Sequence, residues 1–294
     1  MPSDAVVLMA YGSPERLADV PAYYADIRGG RPIAPENLAD LVERYRRLGI
    51  EDSSPLNAIT ERTRAALQAE LGLPVFTGMK HWPPRIADAA EAALAGGAET
   101  IVGLVLAPHY SALSIKGYRD QLEQALGDRA ELRFVDSWHD EPGFVELLAG
   151  KIRGTGAHVV FTAHSLPERV LAMGDPYKDE LLATSNLVAD AAGIDDWSFS
   201  FQSESPTGEP WLGPDILDHL RDLHERGVER VLVAPVGFVS DHLEIRWDLD
   251  IEAKELAQEL GLELDRIEMP NDDPVFVRAL AGIVRRELGV RSTA

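Results

Sequence analysis

A chain of 294 residues with 28 Lys+Arg against 49 Asp+Glu carries a formal charge of −21 and has a pI near 4.7, so phosphate backbones and anionic lipid would repel it. Its 45% hydrophobic content can fill the cores of two medium domains or one large one, which excludes a disordered chain. With no cysteine, disulfides, a thiol nucleophile, zinc-thiolate sites and a cysteine-ligated iron–sulfur cluster are excluded, and any metal must sit on His, Asp, Glu or Tyr.

The opening MPSDAVVLM has an acid where a secretory signal needs a basic flank, and its apolar stretch is too short for a signal core. No run approaches the ~18 apolar residues of a membrane helix. A cytoplasmic protein without membrane insertion is expected. Short β-branched runs predict strands at Ala5–Met9, Val75–Thr77, Thr100–Leu106, Leu132–Val135, Val159–Thr162, Ser198–Phe201, Val231–Ala234 and Leu264–Ile267. Amphipathic stretches between them predict helices, the alternation of a parallel α/β sheet. In GPDILDHLRDLHERG, Ile216, Leu217, Leu220 and Leu223 share one helix face, Asp218, Arg221 and Asp222 point to water, and Gly227 supplies a left-handed stop.

An internal echo organises the chain. VVLMAYGSPERL (6–17) resembles VVFTAHSLPERV (159–170), and ETIVGLVLAP (99–108) resembles ERVLVAP (229–235). The repeat predicts domains at 1–140 and 141–273, with residues 274–294 forming a terminal helix that packs back near the junction. In an open parallel sheet, ligands bind beyond the carboxyl ends of the strands. Tyr11 and His164, matched residues after matched strands, are therefore expected either to face an interdomain cleft or merely to cap their turns.

No G-x-G-x-x-G, no G-x-x-x-x-G-K-[ST] and no G-x-S-x-G stands in the sequence, which argues against a nucleotide ligand and a serine nucleophile. Glu244, Asp248 and Glu252 recur every four residues and would stack on one helix face, either as a solvated acidic surface or as a track for protons or cations. Apolar neighbours Val236, Phe238, Val239 and Leu243 favour partial burial of Glu244. His164 with Glu244 pairs imidazole and carboxylate, a set suited to a borderline divalent metal such as iron(II) or to proton abstraction near neutral pH. His242, on a helix, would point away from Glu244. His81, His109 and His139 are weaker candidates, and His158, His219 and His224 read as surface or strand-start residues.

AYGSP, RGGRP (28–32), ERY (43–45), SPL (54–56), GMKH (78–81), LAPHYS (106–111), FTAHSLPE (161–168), QSE (202–204), PWLGPD (210–215), PVGFVSDHLE (235–244) and EMPN (268–271) run in order along the chain. Together they resemble ferrochelatases, most closely the short Gram-positive type that inserts iron(II) into coproporphyrin III. The resemblance implies an α/β fold of two similar Rossmann-like, chelatase-type domains, each a four-stranded parallel sheet flanked by helices, with porphyrin in the cleft between them. It implies that His164 and Glu244 are the catalytic, metal-handling pair on one face of the macrocycle. It further implies that Tyr11 lies on the other face as axial ligand of the product iron, and that Tyr11, Arg28, Arg44, Tyr45, Ser54 and Tyr118 contact the porphyrin. Guanidinium and hydroxyl donors at these positions suit propionate carboxylates. The resemblance also implies that Lys80 and His81 fall at the cleft rim, and Asp248 and Glu252 on an acidic track built on an irregular, wider helix turn.

The implied partners are coproporphyrin III and Fe2+ as substrates, with a transient contact to the next enzyme of haem synthesis and no nucleic acid. No permanently bound cofactor is expected. The cysteine-free chain departs from members that carry an iron–sulfur cluster, and it lacks the C-terminal extension of membrane-associated members, which predicts a monomer. Two alternatives stand beside this reading: a chelatase for protoporphyrin IX or another tetrapyrrole, and a non-catalytic tetrapyrrole or haem carrier using Tyr11 alone.

Overall fold

The computed structural model of the chain describes residues 3–31, 33–49, 55–205 and 208–289. Among these, eight strands form two sheets. The first holds β1 (Asp4–Ala10), β2 (Val75–Met79), β3 (Thr100–Val105) and β4 (Glu131–Val135) in the order β2-β1-β3-β4. The second holds β5 (His158–His164), β6 (Trp197–Gln202), β7 (Arg230–Ala234) and β8 (Glu263–Arg266) in the order β6-β5-β7-β8. Every pairing is parallel, and each expected strand falls within or beside an observed one. Both sheets reverse their winding at the first strand, so the crevices open beyond the carboxyl ends of β1 and β5.

The helices are α1 (Val20–Ile27), α2 (Pro35–Arg47), α3 (Pro55–Leu71), α4 (Ile86–Ala95), α5 (Ile115–Leu126), α6 (Pro142–Ile152), α7 (Arg169–Ala172), α8 (Tyr177–Ala192), α9 (Ile216–Glu225), α10 (Lys254–Leu260) and α11 (Pro274–Glu287). A π-helix, Ile245–Ala253, leads into α10. The expected face of α9 is buried at Ile216, Leu220 and Leu223, and Gly227 closes the helix at φ +82°.

Strand alternation divides the core. In β1, Ala5, Val7 and Met9 pack with α4 and α5 on the outer face, while Val6 and Leu8 turn inward. In β5, Val160 joins α9 and the π-helix outside, while Val159, Phe161 and Ala163 turn inward. The two inward faces share one continuous core, bridged by Trp138 and by Phe144 of α6 and Phe276 of α11. α11 packs against both α3 and α6, so the terminal helix ties the halves together.

Candidate functional site

The turn after β1 is fixed by close backbone approach. Gly12 adopts φ +85°, and a Cβ there would lie 2.7 Å from that of Trp82, so only glycine fits. The Tyr23 hydroxyl donates to the Gly12 carbonyl (2.9 Å), and Asn57 holds both the amide and the carbonyl of Ser13 (3.1 and 2.7 Å). His81 N donates to the Tyr11 carbonyl (3.0 Å), extending the β1–β2 ladder by a residue and setting the two rings 4.6 Å apart. The Tyr11 side chain is left exposed. Partial burial and the nearby Glu244 carboxylate both raise the pKa of its phenol, which keeps its proton.

His164 ends β5, paired with Gln202 of β6. Its Nδ1 donates to the Ser165 carbonyl, which can only accept, so Nδ1 carries the hydrogen and Nε2 points out. The next residues are stapled to the PWLGPD segment: Ser165 Oγ donates to the Leu212 carbonyl (2.7 Å) and Leu212 N to the Leu166 carbonyl (2.8 Å). The Tyr177 hydroxyl holds the carbonyl of His164 itself (3.0 Å).

Glu244 arrives on the loop after β7. Gly237 lets that loop press on β5, since a Cβ there would sit 2.4 Å from Ala163 Cβ. Asn271 of the EMPN motif, at φ +50°, pins the loop by accepting from Asp241 N (2.9 Å) and donating to its carboxylate (2.8 Å). Arg266 clamps Asp241 and Asp250 (2.8 and 2.7 Å). These constraints bring Glu244 Oε1 to 3.7 Å from His164 Nε2. Burial disfavours the imidazolium, but the Glu244 carboxylate and the Ser165 carbonyl outweigh it and raise the His164 pKa. Burial likewise opposes the charge on Glu244, and the two histidines beside it nevertheless hold its pKa down.

The second of those histidines is His242, which departs from expectation. It precedes the helix instead of riding on it, donates from Nδ1 to the Ser240 carbonyl (2.8 Å) and turns Nε2 to within 3.4 Å of Glu244 Oε2. The Ser240-Asp241 pair, a helix-start signature, carries the signal that His242 stands before the first turn.

One turn on, Asp248 is 9% exposed, which overturns the solvated-face reading at this position. Ser203, at φ +65°, and Gln202 (3.3 Å) both donate to Asp248 Oδ2, and Thr162 anchors the Gln202 amide (3.0 Å). Desolvation, with Glu244 and Glu252 adding repulsion, outweighs those donors and pushes Asp248 up to about 6. Two neighbouring acids thus hold different affinities for a proton, the arrangement that separates acid from base roles. Glu252 is half-buried farther along the π-helix.

Of the remaining expected residues, Tyr45, Tyr118 and His81 lie near Tyr11. Tyr45 is buried with Val20 against Leu243 and shares a hydrogen bond with Ser13. Tyr118 is buried beneath Lys80, whose Nζ lies 4.8 Å from its ring centroid and donates to the Ser114 carbonyl (3.2 Å). Lys80 is half-buried there, and burial lowers its pKa. His81 Nδ1 bonds Asp26 (2.8 Å), which Arg85 grips at 3.0 and 3.1 Å. Arg28 and Arg31 close the RGGRP turn through each other's carbonyls (3.4 and 2.9 Å). Arg44 pairs with Asp40 (3.0 Å). Ser54 lies outside the described residues.

His158 and His219, read above as surface or strand-start residues, are buried and converge on Ser198 Oγ (2.8 and 2.7 Å), with Asp196 on His158 Nδ1 (2.7 Å). This ladder closes the amino ends of β5 and β6, away from His164. His109 is buried on Thr184 (2.9 Å), and burial beside His139 lowers it to about 3. Among the described residues, no three or more His, Asp or Glu side chains are arranged to hold a metal ion, and no helix is long and apolar enough to cross a membrane.

Two parallel sheets of one topology, with an imidazole and a carboxylate opposed beyond the end of β5 and a tyrosine beyond β1, define a two-domain, chelatase-type α/β protein. The same fold occurs in the Bacillus subtilis SirB structure with Fe3+, at TM-score 0.63 and 12% identity over 97% of this chain and 95% of that one. The ferrochelatase family model matches residues 3–288. A ferrochelatase of Herpetosiphon aurantiacus is 45% identical over 95% of this chain and 97% of its own length. A coproporphyrin III ferrochelatase of Bacillus pumilus is 39% identical over 96% of both chains. The chain belongs to the ferrochelatase family: it is a metal-chelating lyase of haem biosynthesis.

Proposed function

We propose that this ferrochelatase takes coproporphyrin III as its porphyrin, with His164 and Glu244 as the catalytic pair. The substrate reading rests on one observation above all: Arg44, Arg46 and Arg47 end the helix that packs, through Tyr45, on Leu243, one residue from Glu244. Four propionates call for several cations around an open mouth, whereas protoporphyrin has only two and adds apolar vinyl groups. Arg28, half-buried at the end of the first helical segment, adds to this set. Relatives near 40% identity that bear the coproporphyrin III name support the same reading.

Metallation exchanges two pyrrole protons for Fe2+, here a substrate. A flat macrocycle keeps its nitrogen lone pairs in the ring plane, so the cleft would bind it ruffled or saddled, at a strain of about 1–5 kcal/mol drawn from propionate contacts. With Nδ1 committed to the Ser165 carbonyl, His164 turns Nε2 toward Glu244 at 3.7 Å, and in its neutral form this nitrogen would take a pyrrole proton or hand over Fe2+, with Glu244 as its partner. The pair offers two ligands and leaves other positions of Fe2+ to water and pyrrole nitrogen. Protons leaving the ring pass from this pair to Asp248 and then Glu252. Tyr11, on the opposite face, is the axial oxygen donor for the product iron. Arg28, Arg44, Tyr45, Ser54 and Tyr118 make the porphyrin site, with Lys80 and His81 at its rim. No resident cofactor takes part, and the product passes to the next enzyme through a transient contact.

The test is anaerobic absorbance spectroscopy of iron(II) insertion into coproporphyrin III and protoporphyrin IX in parallel. Turnover favouring coproporphyrin III is expected. Turnover favouring protoporphyrin IX would overturn the substrate assignment, and tight binding without turnover would make the protein a carrier.

A further inference from the structure

An aromatic side chain with no part in the chemistry above holds two guanidinium groups beside the acidic track. Trp247 stands on the π-helix three residues after Glu244 and is 7% exposed. The end of α2 lies across it, with the Arg44 and Arg47 guanidinium carbons 5.0 and 4.9 Å from the ring centroid. Outward, Arg44 meets Asp40 at 3.0 Å and Arg47 meets Glu255 at 3.0 Å, acids that are 62% and 60% exposed. Each cation therefore has an aromatic contact beneath it and an exposed carboxylate above it.

These two attachments differ in durability. Exposed ion pairs contribute little and are screened by salt, so an incoming carboxylate can replace Asp40 or Glu255 at small cost. A guanidinium on a buried indole face is held by electrostatics and packing together and stays in place through the exchange. The indole Nε1 is buried without a hydrogen-bond partner, so no polar anchor accounts for the ring's presence under α2. Between the two arginines, Tyr45 is buried against Val20 and Leu243, which fixes α2 beside Glu244.

We infer that Trp247 is a positioning residue for substrate carboxylates: it pre-orients Arg44 and Arg47 as a paired clamp, so that affinity rises with the number of carboxylates on the macrocycle. The inference rests on the tetrapyrrole site described above and adds to it the residue that sets carboxylate selectivity. A ring without the clamp would leave two flexible cations to be ordered at each binding event, at the expense of affinity.

The experiment compares full-length wild type, Trp247→Leu and Trp247→Phe. It measures equilibrium binding of metal-free coproporphyrin III and protoporphyrin IX by absorbance, then steady-state iron insertion into each. Trp247→Leu is expected to weaken coproporphyrin III binding about tenfold and protoporphyrin IX binding at most about threefold, the scale of one lost cation–π platform. KM for the porphyrin should follow, with kcat and KM for Fe2+ within about twofold of wild type and Trp247→Phe intermediate. Equal weakening for both porphyrins, unchanged coproporphyrin III affinity, or a fall confined to kcat overturns the inference. Should wild type itself prefer protoporphyrin IX, the proposed substrate fails while the ratio of the two affinity losses still decides the role of Trp247.

Discussion

Asp248→Asn separates the function of the acidic track from its stability. Burial beside Glu244 and Glu252 raises this carboxyl from its ordinary 3.8 to about 6, so its ionised form is disfavoured in the folded state. At about 1.4 kcal/mol per tenfold in proton affinity, the rise costs the native protein about 3 kcal/mol once both states are ionised. The sign follows from proton counts: between those two values the folded state binds more protons than the unfolded one, so stability falls as pH climbs through 6 and is level above it. A third to a half of the cost, on the order of 1 kcal/mol, accrues between pH 5 and 7.5. The asparagine variant has no such slope, although it loses charge-assisted bonds from Ser203 and Gln202. Chemical denaturation of both proteins from pH 5 to 8 should therefore show the variant gaining about 1 kcal/mol relative to wild type, with kcat for iron insertion down about tenfold or more. A stability difference that stays flat over this range would refute the reasoning, because Asp248 would then titrate alike in both states.

Two further outcomes follow from the site. His164→Ala should lower kcat at least about a hundredfold, as expected for a lost proton acceptor and metal ligand, while absorbance titration still reports porphyrin binding; full insertion activity would remove His164 from the mechanism. Gly237→Ala would place a methyl group 2.4 Å from Ala163 Cβ and 2.8 Å from its Cα. The loop carrying Glu244 must then lift from β5, destabilising the protein by about 1–3 kcal/mol and depressing activity beyond what the loss of folded protein explains; thermal denaturation alongside turnover checks both.

What the sequence by itself determined is the repeated plan. Alternating β-branched runs and amphipathic helices placed all eight strands, and the echo of VVLMAYGSP in VVFTAHSLP put Tyr11 and His164 at equivalent strand ends, because hydrophobic period and strand order are local properties of the chain. The approach of His164 to Glu244 was also legible, since both stand at or after strand ends of one half and their chemistry is complementary. Tertiary structure decided which neighbours those residues have. His242 meets Glu244 because its loop is pinned by Asn271 and pressed onto β5 at Gly237, contacts between segments far apart in sequence. The same holds for Asp248, whose spacing allowed either a solvated face or an inward track. Its burial beneath Ser203 and Gln202, and the pKa rise that follows, arise only when β6 and the π-helix pack together. The partners of Lys80, the Tyr118 ring and the Ser114 carbonyl, likewise come from segments distant in sequence. Charge and proton affinity at a site depend on desolvation and on through-space neighbours, and neither is set until the chain has folded.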